Sequence, residues 1–451
     1  MERENFGSRL GFILISAGCA IGIGNVWRFP YVVGNNGGGI FVLLYLFFLI
    51  IMGVPVLTME FAMGRSSKKS IMQCYQTLER PGQKWHLHRF AALLGCYLLM
   101  SFYTVVCGFM MSYFFKFLTG KIDNKSVESS KEAFSAMLSS PWEMGFWMII
   151  TVVLGFGICS LGLQKGVEKI TKIMMIALLG LILVLAVNSL FLEGGMEGLR
   201  FYLVPNMETV REKGIMNVMV AAMNQSFFTL SVGIGCMEVF GSYMGKEHTL
   251  LGESIQIVIL DTFVAIVSGL IIFPACFAFG VSPDSGPSLI FITLPNVFGV
   301  MKGGRIWGAL FFLFMTFASL STVIAVFENI IASCMDGFHI GRKKATWVNC
   351  LIIAIASLPC VLGFNIFSAF QPLGEGSTVL DLEDYLVSNL LLPIGSLIFV
   401  LFCVMKKGWG FDQYLEEVNT GKGPKLSPKL KWYLSLVLPV LILAIVLLGI
   451  L

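Results

Sequence analysis

Charge is what this sequence has least of: Asp, Glu, Lys and Arg make up 13% of its 451 residues, against 56% hydrophobic residues and a mean hydropathy of +0.83. That balance excludes a large soluble domain and describes a polytopic membrane protein, read as one membrane domain over residues 1–451. Histidine is nearly absent. The four that occur, His86, His88, His248 and His339, fall in polar connections away from the apolar spans, so no buried imidazole metal site is expected. All eleven cysteines lie in or beside apolar segments and the long outer loop around Lys121 to Glu132 has none, which argues against a disulfide framework. With no buried His, no Cys-His pair and no acids clustered at ligand spacing, a polytopic enzyme is not expected. The net charge of +4 follows topology and implies no nucleic acid. A basic leader with a short apolar core and cleavage site is also missing, so the first helix is expected to stay uncleaved.

The chain is organised around Arg9 to Pro30. It is apolar and long enough to cross a bilayer as a helix. Yet Gly18, Gly22 and Gly24 fall within seven residues and are followed at once by Asn25 and Arg28, so helix propensity collapses at the expected midplane. A packing helix of small residues would explain the glycines but not Asn25 and Arg28. Backbone unwound at that depth must be buried in protein and find partners for its amides and carbonyls. Amides near Ile23 and Gly24 suit an anion, and the carbonyls of Gly18 to Ile21 suit a cation.

Apolar runs between polar breaks predict eleven spans, over 9–34, 38–64, 89–119, 143–161, 167–192, 215–244, 251–281, 303–335, 345–367, 377–405 and 431–451. With the N-terminus inside, about 21 of the 31 basic residues fall in inner connections, which the positive-inside rule favours. The C-terminus is then outside. The sixth span repeats the anomaly of the first, since Phe227 to Gly235 breaks an apolar helix with two glycines and hydroxyl side chains. Two interrupted helices, each opening a set of five, predict an all-α inverted repeat with its site at the midplane. Repeat one would cover about 9–192, repeat two about 215–405, and an additional helix about 431–451.

These residues resemble the neurotransmitter:sodium symporter family, and within it the prokaryotic eleven-helix transporters of hydrophobic amino acids, of the multi-hydrophobic or tyrosine/tryptophan type. The resemblance is carried by Gly24-Asn25-Val26-Trp27-Arg28-Phe29-Pro30-Tyr31, Asn36-Gly37-Gly38-Gly39, Glu60 with Gly64-Arg65, and Phe227 to Gly235. It implies two sodium ions. One would take the carbonyl of Ala20, the side chains of Asn25, Thr229 and Asp261, and the substrate carboxylate. The other would take carbonyls of Gly18, Ile21 and Ala318 with the hydroxyls of Ser321 and Thr322, all hard oxygen donors suited to an alkali cation. For Ser321 and Thr322, bonding back to their own helix is the alternative.

The resemblance further places the substrate carboxylate against the amides of Ile23 and Gly24 and the hydroxyl of Tyr103, and its ammonium against carbonyls freed in the first and sixth spans, Ala20 among them. Gly22 stands where monoamine transporters place an aspartate, so it leaves room for a substrate that brings its own carboxylate. Leu99, Val106, Phe228, Ser231, Ile234 and Val326 would line an uncharged side-chain pocket. Arg28 with Asp384 would form an outer gate, Arg3, Tyr243 and Asp336 an inner one, and Glu60 would brace the unwound backbones. Asp261 followed by Ala265 implies transport without chloride. The implied function is a sodium-coupled amino-acid importer of the cell membrane working by alternating access; a receptor that binds without transport would use the same site. No obligatory protein partner is implied.

Two features depart from the family pattern. Glu238 sits where an apolar residue is expected, and a proton shared with Glu328 is one account of it. The fifth span has no proline where relatives carry one, which leaves the inward release route unassigned.

Overall fold

Glycine ends the first helix where the sequence places the break. In the computed structural model, which describes residues 4–122, 126–279 and 289–450, the helix Arg9–Ala20 begins at Ser8, whose side chain accepts from Gly11 N–H. It stops at Ile21, where the backbone turns extended, and resumes as Gly24–Asn35 with a bend of 53° between the halves. The sixth segment breaks the same way. Ile215–Leu230 ends at Ser231, a non-glycine residue at φ +51°, and the chain resumes as Cys236–Ser242. Between them Gly233 holds φ +104°, and a side chain there would start 2.1 Å from the Leu392 carbonyl oxygen, so only glycine fits.

Among the described residues nine helices are long and apolar enough to cross a membrane, and the bent pair makes a tenth span. They are Gly39–Ser67, Trp85–Thr119, Pro141–Ser160, Leu163–Leu190, Leu250–Ala278, Gly304–Phe338, Arg342–Gly363, Val379–Val404 and Pro428–Gly449. The sixth segment stands apart because its two pieces have 16 and 7 residues. Gly304–Phe338 is the most buried of the spans and packs on Trp85–Thr119, Leu163–Leu190 and the first half-helix Arg9–Ala20. Helix on helix, with no strand among the described residues, is the whole architecture.

Close approach of backbones fixes the sixth segment. A methyl on Gly64 would stand 1.8 Å from the carbonyl oxygen of Glu238, and one on Gly241 would stand 2.5 Å from that of Phe61. Small residues at both points let Cys236–Ser242 lie directly on the second span. Near the C-terminal end of that span Arg65, fully buried, donates to Glu417 Oε1 at 2.6 Å, to the Glu417 carbonyl and to the His248 carbonyl at 2.8 Å. These bonds tie the short helix Phe411–Val418 to the bundle.

One sequence expectation fails here. His88 is not in a polar connection; it lies buried at the start of the third span, 2.9 Å from Tyr75 Oη and edge-on to Phe399. The helix simply begins earlier than the apolar run, and a single hydroxyl satisfies the imidazole.

Candidate substrate and ion site

Both unwound stretches meet at the centre of the bundle, and the third, seventh and eighth spans close round them. Ser231 Oγ donates to the Cys19 carbonyl at 3.2 Å, joining the two breaks directly. Glu60 accepts from Gly233 N–H, so this buried carboxylate takes up a donor freed by the second break.

Asn25, Thr229 and Asp261, far apart in sequence, come together with all three side chains buried. Asn25 Nδ2 donates to Asp261 Oδ1 at 2.8 Å and to Thr229 Oγ1 at 3.2 Å, and Thr229 Oγ1 donates to Asp261 Oδ2 at 3.0 Å. Asn25 Oδ1 accepts from Gly22 N–H at 3.2 Å. Turning the Asn25 amide about its last torsion would direct a third side-chain oxygen at the same point, a change with no covalent cost. Ala20 lies on the wall of the central cavity.

A second oxygen cluster lies one turn further in. Ser321 Oγ is 3.0 Å from the Gly18 carbonyl and 2.9 Å from that of Ala318; Thr322 Oγ1 is 3.2 Å from Gly18 O and 3.4 Å from Cys19 O and Ala318 O. Both hydroxyls therefore bond back to their own helix and also reach across to the first break. Ile21 is buried at the end of the first half-helix. Cys19 O falls within the Gly18 to Ile21 carbonyls expected to suit a cation, although the family positions carried over to the second sodium site do not include it.

Between these clusters Ile23 N–H donates to Tyr103 Oη at 3.0 Å. The central cavity is small, about 20 Å³, and is bounded by Ala20, Gly22, Gly24, Leu99, Tyr103, Phe228 and Ser231 together with Cys19, Thr322 and Leu392. It bears no charged side chain. Thr322 and Leu392 were missed as lining residues, since an apolar run does not show which face of a helix points inward at mid-depth. Ile234 and Val326 are fully buried and line neither this cavity nor the one above it.

Above the centre lies a larger cavity of about 420 Å³, lined by Ile23, Gly24, Trp27, Arg28, Tyr103, Val106, Phe228, Asp381 and Asp384 among others. Arg28 stacks on the Phe228 ring with its guanidinium carbon 4.1 Å from the centroid, which suits a cation in a desolvated place. Asp384 accepts from Ser388 Oγ at 2.7 Å, and among the described residues no ion pair within 4.0 Å joins it to Arg28. The two charges face one cavity without touching. Tyr103 and Phe228 separate that cavity from the centre, bordering both.

On the opposite side a cavity of about 480 Å³ is lined by residues 5–9, Phe12, Tyr243 to Gly245, Glu247, His248 and Glu253. Arg3 lies outside the described residues. Asp336 accepts from Ser70 N–H at 2.7 Å, and Tyr243 Oη donates to Glu328 Oε1 at 2.8 Å. Arg342 clasps the same carboxylate at 2.7 and 2.9 Å. That ion pair, rather than a proton shared with Glu238, occupies Glu328; the sequence concealed it because Arg342 reads as one member of an ordinary inner basic cluster.

A small centre thus lies between two larger cavities, and comparison with known proteins identifies the family. An uncharacterized sodium-dependent transporter of Bacillus subtilis, YhdH, is 33% identical over 97% of this chain and 96% of its own length. A sodium-dependent transporter of Methanocaldococcus jannaschii is 30% identical over 100% of this chain and 91% of its own. The crystal structure of MhsT in complex with L-phenylalanine is 34% identical, with a TM-score of 0.89 over 99% of this chain and 100% of that one. The sequence profile of the sodium:neurotransmitter symporter family matches residues 3–136 and 126–451. The chain belongs to that family and is a multi-pass, sodium-dependent membrane transporter.

Proposed function

We propose that this protein imports hydrophobic L-amino acids, aromatic ones included, with two sodium ions and without chloride, by alternating access from an outside to a cytoplasmic vestibule with its N-terminus inside. The observation that carries the reading is the chemistry around Gly22. The central cavity offers the backbone of the first break, a tyrosine hydroxyl and apolar walls, but no carboxylate to take an amine and no cation to take an acidic side chain. A zwitterion with an apolar side chain matches that set, its carboxylate at Ile23 and Tyr103. The likeness to MhsT, solved with L-phenylalanine, supports the same class of substrate. Ala20, Asn25, Thr229 and Asp261 are the expected first sodium site, and Gly18, Ile21, Ala318, Ser321 and Thr322 the second.

The energetics suit concentrative uptake. Each sodium ion contributes about 2.3 kcal/mol at 100 mV and about 1.4 kcal/mol for a tenfold gradient. Two ions give about 7 kcal/mol, enough to hold a neutral zwitterion at a ratio near 10⁵.

The test is uptake of labelled leucine into proteoliposomes under a sodium gradient, competed by tryptophan, tyrosine, phenylalanine, alanine and glycine. Competition by the aromatic amino acids and loss of uptake in potassium are expected. Competition by alanine and glycine alone would reject the substrate class, and substrate binding without uptake would favour a receptor.

A further inference from the structure

The inner half-helix Arg9–Ala20 is a rod with a break at one end, Ile21 to Ile23, and its other end is held by two buried carboxylates, Glu253 on the Arg9 side chain and Glu168 on the backbone and cap. Glu168, in the wide turn Leu163–Glu168 that opens the fifth span, accepts from Gly7 N–H at 2.7 Å through Oε2 and from Ser8 Oγ at 2.9 Å through Oε1. Ser8 is the N-cap of the rod and accepts in turn from Gly11 N–H at 3.0 Å. The carboxylate thus sits on the positive end of the helix, where a negative charge is most favourable. Glu168 is only 7% exposed, although most of residues 4–10 are exposed.

Gly11 makes this approach possible. A methyl there would stand 2.0 Å from Glu168 Oε1 and 2.4 Å from its carboxyl carbon. The same turn grips the segment further along: Leu163 N–H donates to Glu4 Oε2 at 2.9 Å, and Gln164 Nε2 to the Asn5 carbonyl at 2.9 Å. Those two partners are exposed, so Glu168 is the buried member of the grip. The opposite face of residues 5–9 forms a wall of the 480 Å³ inner cavity. Across that cavity the segment is also tied to Tyr243 and Glu253, Phe6 N–H donating to the Tyr243 carbonyl at 3.3 Å and Arg9 Nε to Glu253 Oε1 at 2.9 Å.

We propose that Glu168 is a positioning residue of transport: it latches the N-terminus of the inner half-helix to the fifth span, and breaking the Gly7 and Ser8 bonds is the step that opens the inner vestibule. The proposal rests on the family-level assignment as a sodium-dependent transporter and not on the choice of amino acid. It gives the fifth span, which lacks a proline, a part in inward release that requires no unwinding. Glu168 touches neither ion nor substrate. Its effect is on how long the inner side stays shut, and a state that is shut inside is the one whose sodium ligands are complete.

The test is hydrogen–deuterium exchange of the purified full chain in detergent, in sodium buffer, for the wild type, Glu168→Ala, Glu168→Gln and Gly11→Ala. Amides of residues 7–20 should exchange faster in Glu168→Ala, by roughly tenfold or more for the loss of two charge-assisted hydrogen bonds. Gly11→Ala, which displaces the carboxylate without removing it, should do the same. Glu168→Gln keeps one acceptor and should fall between. The outer half-helix Gly24–Asn35 should be unchanged in all three. In parallel, the sodium concentration for half-maximal substrate binding should rise by a similar factor in Glu168→Ala and Gly11→Ala, with substrate affinity at saturating sodium close to wild type. Uniformly faster exchange across the chain would mean a general loss of fold and would overturn the proposal, as would unchanged exchange at residues 7–20. The exchange measurement uses no substrate, so an error in the substrate class would leave it standing.

Discussion

The hydroxyl of Tyr103 occupies the place where a side chain on residue 22 would begin: a Cβ on Gly22 would lie 2.3 Å from Tyr103 Oη and 2.7 Å from Thr322 Oγ1. The third and eighth spans therefore close on the first break only because that residue is glycine. Gly22→Ala is expected to weaken substrate binding roughly 5- to 150-fold, the equivalent of about 1–3 kcal/mol of overpacking. Because the near contact is the end of one side chain, Tyr103→Phe in the same chain should restore part of the space while losing the Ile23 bond. Equilibrium binding of labelled leucine in sodium measures both; a Gly22→Ala protein that binds as the wild type would refute the packing argument.

How far the sequence foretold this arrangement depends on which force acts at each residue. Helix breaks at Gly22 and Gly233 were readable because glycine and hydroxyl residues in an apolar run are a local signal. Span limits were readable for the same reason, the described helices agreeing with the expected runs to within about four residues. The meeting of Asn25, Thr229 and Asp261 came from family positions alone, since nothing local links residues 204 and 236 apart. Glu168 on Gly7, Arg342 on Glu328 and Arg28 on Phe228 were not foreseen. The first two are long-range pairings of a charge whose own neighbourhood in sequence resembles a solvated loop or a basic flank; Arg28 lies in the apolar first span, where residue type does not show which ring its guanidinium meets.

The Glu328 ion pair yields a contrast between a buried and an exposed partner. Glu328 is fully buried, while Glu4, which Arg342 also reaches at 3.0 Å, is 43% exposed in its side chain. Arg342→Met leaves a buried carboxylate with only Tyr243 and should destabilise the protein by about 3–5 kcal/mol. Adding Glu328→Gln to it should recover most of that loss. Glu4→Gln should cost less than about 1 kcal/mol. Thermal unfolding in detergent reads all three, and an Arg342→Met protein as stable as Glu4→Gln would show that the pair does not hold the inner side together.

Backbone contact at Gly64 is less forgiving than the contact at Gly22, because the obstacle is the Glu238 carbonyl, 1.8 Å from the would-be methyl, and not a movable side chain. Gly64→Ala must push Cys236–Ser242 off the second span and pull Glu60 away from Gly233 N–H. Loss of a folded, sodium-responsive protein is expected. Gly145→Ala is the matched control: its methyl meets nothing within 4 Å, and in a helix interior it should be stabilising by about 0.5–1 kcal/mol. Size-exclusion profiles and unfolding midpoints of the two variants separate close packing from helix propensity, and equal behaviour would remove the packing explanation.

Chloride should be dispensable, and Asp261 is the reason. Two sodium ions and a zwitterion at low dielectric need a compensating negative charge, because an uncompensated buried charge costs several kcal/mol. Asp261 supplies one from within: it is fully buried, takes hydrogen bonds from Asn25 and Thr229, and lies on the seventh span a helical turn before Ala265, which is also buried and carries no hydroxyl to hold an anion. The rate of sodium-driven uptake should therefore be the same when chloride is replaced by gluconate at constant sodium. Asp261→Asn removes the fixed charge but keeps the shape and one acceptor, so it should raise the sodium concentration for half-maximal substrate binding by roughly tenfold or more, a charged hydrogen-bond partner being worth about 1.5–3 kcal/mol. Restoring a hydroxyl with Ala265→Ser in the Asp261→Asn chain should make binding respond to chloride where the wild type does not. By linkage, any change in the effect of sodium on substrate affinity must appear equally as a change in the effect of substrate on sodium affinity, so the two titrations check each other. A wild-type rate that falls in gluconate and returns with added chloride would defeat the argument, and an Asp261→Asn protein with unaltered sodium dependence would take this residue out of the ion site.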